Sequence, residues 1–489
     1  MATAEATATA DVAEDLSLLE QLLNNSRALD ESEREQQKDY LQEFINHVVD
    51  DSEVTSRDAA AEINDWIAKI DEKISAQLNE VMHAESFQKL EGSWRGLHYL
   101  VHQSETGTSL KIRVLNVTKK ELLKDLETAV EFDQSALFKK IYEEEYGQLG
   151  GEPFGLLVGD FEFSRHPQDI NLLKLVSNVA AASHAPFISA ASPALLNLQS
   201  YTELPNPRDL AKIFESAAHI SWRSFRDSED SRYVALCMPR VLSRLPYGKD
   251  FTAVEEFDFE ELVDGRDHTR YLWMNAAWAY ATRVTDAFSQ YGWYAKTRGV
   301  EGGGKVEGLP VHTFNTDDGD VAMKCPTEIA ISDRREFELS TLGFLPLLHA
   351  KNTDFAVFMG AQSAQKQKTY FDDAATANAD LSTKINFLMC VSRFAHYLKV
   401  MARDKVGSML EAQQCEKWLN DWIANYVCDP AMAGEETKAK CPLSDASIEV
   451  REVAGKPGWY EAIAWLRPHF QLETLSASMR LVAEVPQKG

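Results

Sequence analysis

Three groups of residues in this sequence have types and spacings that could support chemistry. The run GVEGGGK places Gly299, Gly304 and Lys305 at the spacing of a loop that cradles phosphate. In such a loop the next residue is a Ser or Thr that holds magnesium, but here it is Val306. The residues before the run do not read as a buried strand, and VEGLP after it cannot open a helix. The sequence therefore favours a structural glycine loop over a nucleotide site.

His98 and His102 lie four residues apart, which on a helix would put two imidazoles on one face, as a zinc pair requires. Two ligands do not complete a zinc site, and the sequence has neither HExxH nor a cysteine near this pair. The pair is better explained as structural or exposed histidines.

Asp160, Glu162 and His166 crowd the end of the run FGLLVGDFEF, which reads as a β-strand. The carboxyl ends of strands in α/β sheets are common ligand sites, and these side chains could exchange protons with a substrate. The sequence contains neither GxSxG nor GxGxxG, and nothing near these residues specifies a nucleophile or cofactor. Turn and cap roles are therefore favoured, and an α/β enzyme using Asp160 and His166 stays as an alternative.

The elements around these residues predict an α/β region. FGLLVGDFEF and PFISA flank the helical pattern DINLLKLVSNVAAASH, which together indicate a βαβ unit. SLKIRVLNV and RYVALCMP read as further strands, whereas YLWMNAAWAYATRVTDAFSQYGW reads as a helix buried on most sides. The middle of the chain is therefore predicted to be α/β.

A Gly-rich stretch at 298–326 predicts a long irregular connection and a domain boundary. After it, FELSTLGFLPLLH and FAVFMG read as strands and are followed by two helical stretches. ASIEVREV and WYEAIAWLRP then flank AGKPG, which suits a hairpin reversal, and LETLSASMRLVAEV reads as another strand. The predicted divisions are residues 1–56, 57–325 and 326–489.

The N-terminal residues 1–56 predict a mobile tail followed by a helical arm. The first fourteen residues are mostly Ala, Thr and acidic residues, which bury too little surface to fold. A leucine stripe at helical spacing follows, formed by Leu16, Leu19, Leu22 and Leu23. A helix this short needs a partner surface, either on its own chain or on another protein. Two further helical patterns follow, one across 40–48 and a longer one across 63–81.

Composition excludes several classes of protein. The 489 residues carry 50 Lys plus Arg against 76 Asp plus Glu, a formal net charge of −26 that would repel nucleic acid. No segment reads as a signal peptide or a membrane span. Six scattered cysteines without a CxxC pair fit reduced thiols in a cytosol. These features predict a cytoplasmic building block with no enzymatic activity and no cofactor.

Several long strings closely resemble the large sheath subunit of bacterial type VI secretion systems, the TssC/VipB family. They include FQKLEGSWRGLHYLV at 87–101, the segment 153–193, the Gly-rich stretch with its continuation, RFAHYLKVMARDKVGS and WLNDWIANYV. The resemblance is collinear from about residue 87 to the C-terminus. It implies a contractile tail-sheath-like α/β fold with a helical N-terminal arm, a central α/β region and C-terminal helices followed by a β-hairpin.

The same resemblance implies a non-enzymatic role and a set of partners. The chain would pair with a small sheath subunit of the TssB/VipA type and polymerise with further copies of itself as a helical tube. That tube would surround an inner tube of the Hcp type on a baseplate, and its contraction would propel the inner tube and effectors out of the cell. A ClpV-type AAA+ unfoldase would then dismantle the sheath by recognising the leucine helix that contains Leu16, Leu19, Leu22 and Leu23.

The predicted hairpin supplies a route to assembly, because its strand edges leave amides and carbonyls that can pair with strands of other chains. The interchain strand candidates are Ile448, Val450, Val453, Trp459, Tyr460, Ile463 and Trp465. Two structural alternatives stay open beside the type VI sheath. They are the sheath of a contractile phage tail or extracellular injection particle, and a monomeric adaptor.

Overall fold

The computed structural model describes residues 38–40, 59–206, 209–255, 257–316, 319–408, 411–456 and 458–471. The α-helices are α1 (Ala59–Met82), α2 (Glu85–His102), α3 (Lys119–Thr128), α4 (Ala136–Phe138), α5 (Pro167–Ser183), α6 (Leu210–Glu215), α7 (Ile220–Asp227), α8 (Ala276–Tyr291), α9 (Asp333–Thr341), α10 (Asp373–Thr383), α11 (Ile385–Asp404), α12 (Ala412–Ile423) and α13 (Glu435–Lys440). Helix α4 continues as a π-helix, Lys139–Tyr146. Short 3-10 helices are Phe132–Gln134, Pro193–Leu196, Tyr201–Glu203, Ala217–His219, Asp230–Tyr233, His268–Arg270 and Ala424–Tyr426.

The strands are β1 (Leu157–Phe163), β2 (Phe187–Ala191), β3 (Val234–Met238), β4 (Val241–Leu242), β5 (Trp273–Met274), β6 (Lys305–Val306), β7 (Thr313–Asn315), β8 (Val321–Met323), β9 (Leu345–His349), β10 (Ala356–Phe358), β11 (Leu443–Glu452) and β12 (Tyr460–Pro468). In the described part of the chain, six of them form the main sheet in the order β1-β2-β3-β9-β10-β6. The first four run parallel, and β10 is antiparallel to both β9 and β6. The fold is therefore mixed α/β, as the sequence predicts.

The predicted βαβ unit is confirmed as β1, α5 and β2. Pro167 occupies the first turn of α5, where a missing N–H costs no helical hydrogen bond. His166 caps this turn by accepting from the backbone N–H of Gln168, and His184 ends the helix in the left-handed conformation. The two strands run parallel because the helix crosses over between them.

The main core lies on the two faces of this sheet. The strands β2 and β3 are buried along their whole length, and the predicted apolar helix α8 has Tyr280 completely inaccessible to solvent. On the other side of the core the Trp222 ring stacks on Phe344, with centroids 5.6 Å apart. A parallel sheet covered on both faces explains why these strands read as uninterrupted apolar runs.

Two predicted strands are wrong in the structure. SLKIRVLNV forms no strand, and instead Lys111 and Arg113 form ion pairs with Glu145 and Glu152. Strand propensity is realised only where a partner strand is available, and none of the described residues supplies one here. The FELST part of FELSTLGFLPLLH belongs to helix α9, and the strand β9 begins only after Gly343. Gly343 has a φ of +87°, and a Cβ there would lie 2.8 Å from the Ala364 carbonyl oxygen, so only glycine makes this turn.

The Gly-rich stretch at 298–326 is more ordered than predicted, because it contains β6, β7 and β8. Strand β6 joins the edge of the main sheet, whereas β7 and β8 form a separate pair. The main sheet therefore spans residue 325, since β1 to β3 precede that residue and β9 and β10 follow it.

A second, smaller core lies around Trp293 and Phe394, whose rings stack 4.2 Å apart. Helix α11 links the two cores, because Met389 packs in the main core and Phe394 in the small one. Helix α12 and the hairpin of β11 and β12 complete the small core. Tyr397, on the same helix, is 37% exposed.

Several predictions fall outside the described residues. They concern the leucine stripe, the helical pattern beyond residue 40 and the strand LETLSASMRLVAEV. The long helical pattern across 63–81 is confirmed within α1. None of the described helices combines the length and apolar character needed to cross a bilayer.

Candidate assembly interface

The C-terminal hairpin is the candidate site. Strands β11 and β12 pair antiparallel, with Ile448 opposite Ala464 and Val450 opposite Ala462. Gly455 and Gly458 in the connecting turn have φ values of +79° and +80°, which suits the predicted reversal. Within an antiparallel pair, residues alternate between those bonded to the partner strand and those whose backbone groups point away from it.

The outer edge of β11 is occupied by helix α12. The Asn420 Nδ2 donates to the Ile448 carbonyl oxygen at 2.6 Å, and the Ile448 N–H donates to the Asn420 Oδ1 at 2.9 Å. The Asn420 carboxamide thus satisfies both the N–H and the carbonyl of Ile448, as the backbone of a neighbouring strand would. The Val450 N–H donates to the Glu416 Oε2 at 3.0 Å. These bonds close the middle of the β11 edge to a further strand.

The same bonds establish which residues of β12 face outward. Because the backbone of Ile448 and Val450 points away from β12, their partners Ala464 and Ala462 point away from β11. The bond from the Val453 N–H to the Trp459 carbonyl fits this alternation, since that pair belongs to the inward-bonded set. Within the described part of the chain, no hydrogen bond reaches the outward backbone groups of Tyr460, Ala462, Ala464 or Leu466. Among the described residues, the free edge of the hairpin is therefore on β12.

The structure separates the predicted interchain candidates into three groups by burial. Ile448 and Val450 are buried in the small core, and their backbone is bonded to α12. Ile463 and Val453 are half-buried. Trp459, Tyr460 and Trp465 are exposed, with Trp459 63% accessible. Large exposed aromatic side chains beside an open strand edge are typical of interfaces.

Sequence reasoning missed the residues that decide which edge is open, namely Asn420 and Glu416 on one side and Ala462 on the other. The alternation of apolar side chains in ASIEVREV indicates which face is buried. It does not indicate which backbone groups point outward, because that depends on the turn register. The spacing of Glu416 and Asn420, four residues apart on a helix, does not by itself indicate that their side chains bond to a strand edge.

The alternative enzymatic residues have structural roles. The Trp278 indole Nε1 donates to the Asp160 Oδ1 at 3.2 Å, and burial raises the pKa of Asp160. Glu162 accepts both arms of the Arg240 guanidinium, at 2.5 and 2.8 Å. His166 caps α5 through its Nδ1, which accepts from the Gln168 N–H at 3.3 Å. The three side chains therefore make separate contacts and do not converge on one substrate position.

A buried carboxyl that the sequence did not single out completes this polar cluster. The Glu328 Oε2 lies 3.6 Å from the Arg240 Nη1, which is an ion pair but too long for a hydrogen bond. His268 Nε2 lies 3.9 Å from the Glu328 Oε1. Burial raises the pKa of Glu328 to about 7, and Arg240 only partly opposes that shift. The cluster joins β1 to the segment after β8.

The remaining chemical candidates also take structural positions. Gly304 lies against β10, because its carbonyl accepts from the Phe358 N–H at 2.9 Å and a Cβ would clash with the Phe358 carbonyl. Lys305 lies over the Phe355 ring. The rings of His98 and His102 have centroids 3.9 Å apart and are tilted by 33° to each other, and no metal-ligating cluster occurs among the described residues. The glycine loop thus leads into the edge strand β6 and has a structural role.

Comparisons with known proteins agree on one family. The VipB family models match in two parts, "EvpB/VC_A0108, tail sheath N-terminal domain" at residues 64–365 and "EvpB/VC_A0108, tail sheath gpW/gp25-like domain" at residues 374–485. A curated relative from Pseudomonas aeruginosa, "Type VI secretion system sheath protein TssC1", is 53% identical over 468 residues, which cover 95% of this chain and 94% of that protein.

Two solved assemblies show a weaker likeness, at 10% and 11% identity. The baseplate of the anti-feeding prophage aligns with a TM-score of 0.34 over 64% of this chain and 66% of that chain. The contracted helical sheath of the same particle aligns with a TM-score of 0.30 over 63% and 66%. Family membership rests on the two family models and the Pseudomonas relative.

Proposed function

The chain belongs to the VipB family of type VI secretion sheath proteins, and on this premise we propose that it joins its neighbours by strand addition at the open edge of β12. It is a structural subunit of a contractile sheath, and its family assembles as a helix. Helical assembly requires heterologous contacts that do not close on themselves. An open strand edge that receives a strand from another subunit would form a contact of this kind.

The two edges of the hairpin differ in their hydrogen bonding, and this difference supports strand addition at β12. Asn420 and Glu416 occupy the β11 edge, whereas none of the described residues bonds to the outward backbone groups of β12, which lie beside exposed Trp459 and Trp465. A guest strand on β12 would gain main-chain hydrogen bonds along its length and contact with these aromatic rings. The hairpin would then become a sheet of three or more strands, which is more stable than an isolated hairpin.

Replacing Ala462 with Pro tests this proposal directly. Ala462 points its N–H outward and exposes its side chain, so proline there removes a donor from the open edge without removing a bond between β11 and β12. We expect the Ala462→Pro subunit to stay soluble and folded but to form no sheath when coexpressed with its small subunit. Negative-stain microscopy of the lysate would show the result.

The matched control places proline at Glu452, whose backbone points outward at the end of the β11 edge. We expect Glu452→Pro to keep sheath formation, because that edge does not receive a guest strand. Normal sheaths from Ala462→Pro, with circular dichroism matching the unaltered subunit, would contradict strand addition at β12.

We propose pairing with a small sheath subunit of the TssB/VipA type, assembly around an Hcp-type inner tube on a baseplate, and a bacterial cytoplasmic location. The leucine helix with Leu16, Leu19, Leu22 and Leu23 would serve as the recognition element of a ClpV-type unfoldase. The family membership and the resemblance in sequence support these roles.

We also propose that the chain performs no catalysis of its own. Asp160, Glu162 and His166 are engaged in separate structural contacts, which supports this reading. Contraction would then draw its energy from a metastable extended lattice, with flexible connections absorbing the rotation of the subunit bodies. The divisions 1–56, 57–325 and 326–489 are proposed as units of assembly, although the main sheet itself spans residue 325.

A further inference from the structure

The segment LKIRVLNV at 110–117 has the composition of a strand but no partner strand among the described residues. Within the described part of the chain, no hydrogen bond reaches the backbone N–H or carbonyl groups of residues 111–117. Two of its apolar side chains, Val114 and Leu115, are 66% and 52% exposed. The segment contains neither glycine nor proline, the residues that favour the turns of a surface loop. Its sequence suits a strand, and its backbone groups are open to one.

The segment 110–117 runs beside β1, the first strand of the main sheet. Near its start, the Arg113 guanidinium carbon lies 5.6 Å from the centroid of the Phe154 ring. Just after its end, the Lys119 Nζ donates to the Glu162 carbonyl oxygen at 2.7 Å. Because Phe154 precedes β1 and Glu162 lies near the end of that strand, the segment and β1 run in the same direction. The pairing of the described strands does not include the segment, so it lies along the sheet without being bonded to it.

Side chains hold the segment in place although its backbone is unpaired. Arg113 forms ion pairs with Glu145 and Glu152, and Lys111 forms one with Glu152. Ile112 packs against a small apolar cluster formed by helices α2 and α8. A segment that is already positioned in this way loses less conformational entropy when another strand pairs with it.

The charges that follow the segment indicate which kind of strand it would accept. Lys120 and Lys124, on the first turns of α3, are exposed and line a surface cleft of about 370 Å³. Neither lysine forms an ion pair with a described residue. Glu127 also lines the cleft, but its carboxylate accepts from the Asn171 Nδ2 at 2.8 Å. Two unmatched cations beside an unpaired strand favour a guest strand that carries Asp or Glu at this end.

We propose that residues 110–117 are an edge strand that is completed by a guest strand from a different chain, one with acidic residues beside its apolar ones. The guest would gain main-chain hydrogen bonds along the segment, cover Val114 and Leu115, and place carboxylates against the lysines of the cleft. The same segment of a second copy fits poorly, because its Lys111 and Arg113 would face like charges and its own end is basic. This contact lies beside the main sheet and does not depend on strand addition at β12.

Amide hydrogen exchange tests the contact on the full-length subunit, alone and in complex with the coexpressed small sheath subunit. The choice of this probe rests on the proposed pairing with a small subunit. We expect the amides of residues 111–117 to exchange at least about tenfold more slowly in the complex. The amides of β12 report separately on strand addition there. Slower exchange at β12 alone would overturn the present proposal and leave the other intact, whereas slower exchange at 111–117 alone would support it and count against β12.

Two proline variants at adjacent positions test whether the contact has strand geometry. Successive residues of a strand point their N–H groups to opposite sides, so a guest on one side bonds to only one of Val114 and Leu115. Neither N–H is bonded to a described residue, so neither proline removes a hydrogen bond seen in the isolated subunit. We expect one of Val114→Pro and Leu115→Pro to lower capture of the small subunit at least about tenfold, and the other to keep it within about twofold. Equal capture by the two variants would overturn the proposal.

A charge reversal tests the acidic character of the guest. We expect the double variant Lys120→Glu and Lys124→Glu to lower the affinity for the small subunit about tenfold at low salt, and the loss to shrink at about 0.5 M salt. The matched control is Lys351→Glu, an exposed lysine between β9 and β10, which should bind as the unaltered subunit does. Unchanged affinity of the double variant at low salt would overturn the assignment of an acidic guest.

Discussion

The main sheet and the C-terminal hairpin differ in how their strand edges are covered. At one edge of the main sheet, Asn275 Nδ2 donates to the Phe161 carbonyl at 3.2 Å and Lys119 Nζ donates to the Glu162 carbonyl at 2.7 Å. The opposite edge is the two-residue strand β6. Side chains and short strands of this kind prevent unplanned strand pairing.

The hairpin applies this protection to one side only. Its β11 edge is held by Asn420 and Glu416, whereas its nine-residue strand β12 has an outer edge that no described residue covers over most of its length. A subunit with one open strand edge can avoid random aggregation and still polymerise. With the β11 edge closed, another strand can add to the hairpin on the β12 side, and a helical lattice requires a contact that is one-sided in this way.

The largest expected effects come from cutting one ring out of each core. Trp222 and Phe394 are both inaccessible to solvent, one under the main sheet and one under the hairpin. Replacing either with Ala should lower the free energy of unfolding of its region by about 3–5 kcal/mol. Amide hydrogen exchange would locate each loss.

The comparison predicts different exchange patterns for these two variants. Phe394→Ala should expose the amides of α12 and the hairpin while β1 to β3 stay protected, because its ring contacts Trp293, Trp422 and Tyr426 in the small core. Trp222→Ala should weaken the main sheet. If both variants raise exchange equally in both regions, the two cores unfold as one unit and the distinction fails.

A smaller effect should appear in the pH dependence of the main sheet. Burial raises the pKa of Glu328 to about 7 from an unfolded value near 4.5, so the folded state binds the proton more tightly. Stability from this group is therefore present at low pH and lost as the pH rises from about 4.5 through about 7. The charged groups facing Glu328 are Arg240, Glu162, His268 and Lys324.

Glu328→Gln removes this titration with little change of shape. Relative to the unaltered chain, we expect the variant to gain on the order of 2–3 kcal/mol between pH 4.5 and pH 8. Urea unfolding at several pH values measures it. His268 has its pKa lowered by burial, which acts in the opposite sense below about pH 6.5, but both proteins share that contribution. A pH-independent difference would show that Glu328 stays ionised.

The sequence predicted the elements that are periodic and self-contained. The apolar runs of β1 and β2 around α5, the buried helix α8 and the AGKPG reversal are all found where the pattern placed them. The predictions for SLKIRVLNV and FELST were wrong, because both were assigned from strand composition and neither has a partner strand among the described residues. The composition of a segment does not show whether a partner strand is available to it.

The sequence predicted the hairpin of the candidate site, but it did not predict which edge of the hairpin is closed. Trp459 and Trp465 could be named from their type, since large aromatic residues near a hairpin turn favour an interface. The closed β11 edge depends on Asn420, which lies 28 residues from its partner Ile448. Contacts of that separation arise from tertiary packing and leave no periodic trace in the sequence.

The smallest expected effect tests whether Asn420 closes the β11 edge. Asn420→Ala leaves the Ile448 N–H and carbonyl without their partner, which should cost about 1–3 kcal/mol in the free energy of unfolding. It should also create a second open edge, so that the purified subunit associates in sedimentation velocity experiments without its small partner. Asn420→Asp is the matched control, because it keeps an acceptor for the Ile448 N–H and places a charge at the edge that discourages strand pairing. If Asn420→Ala loses the expected stability but remains monomeric, the Asn420 side chain stabilises the hairpin without blocking strand pairing at the β11 edge. The direction of assembly must then be set by β12 alone.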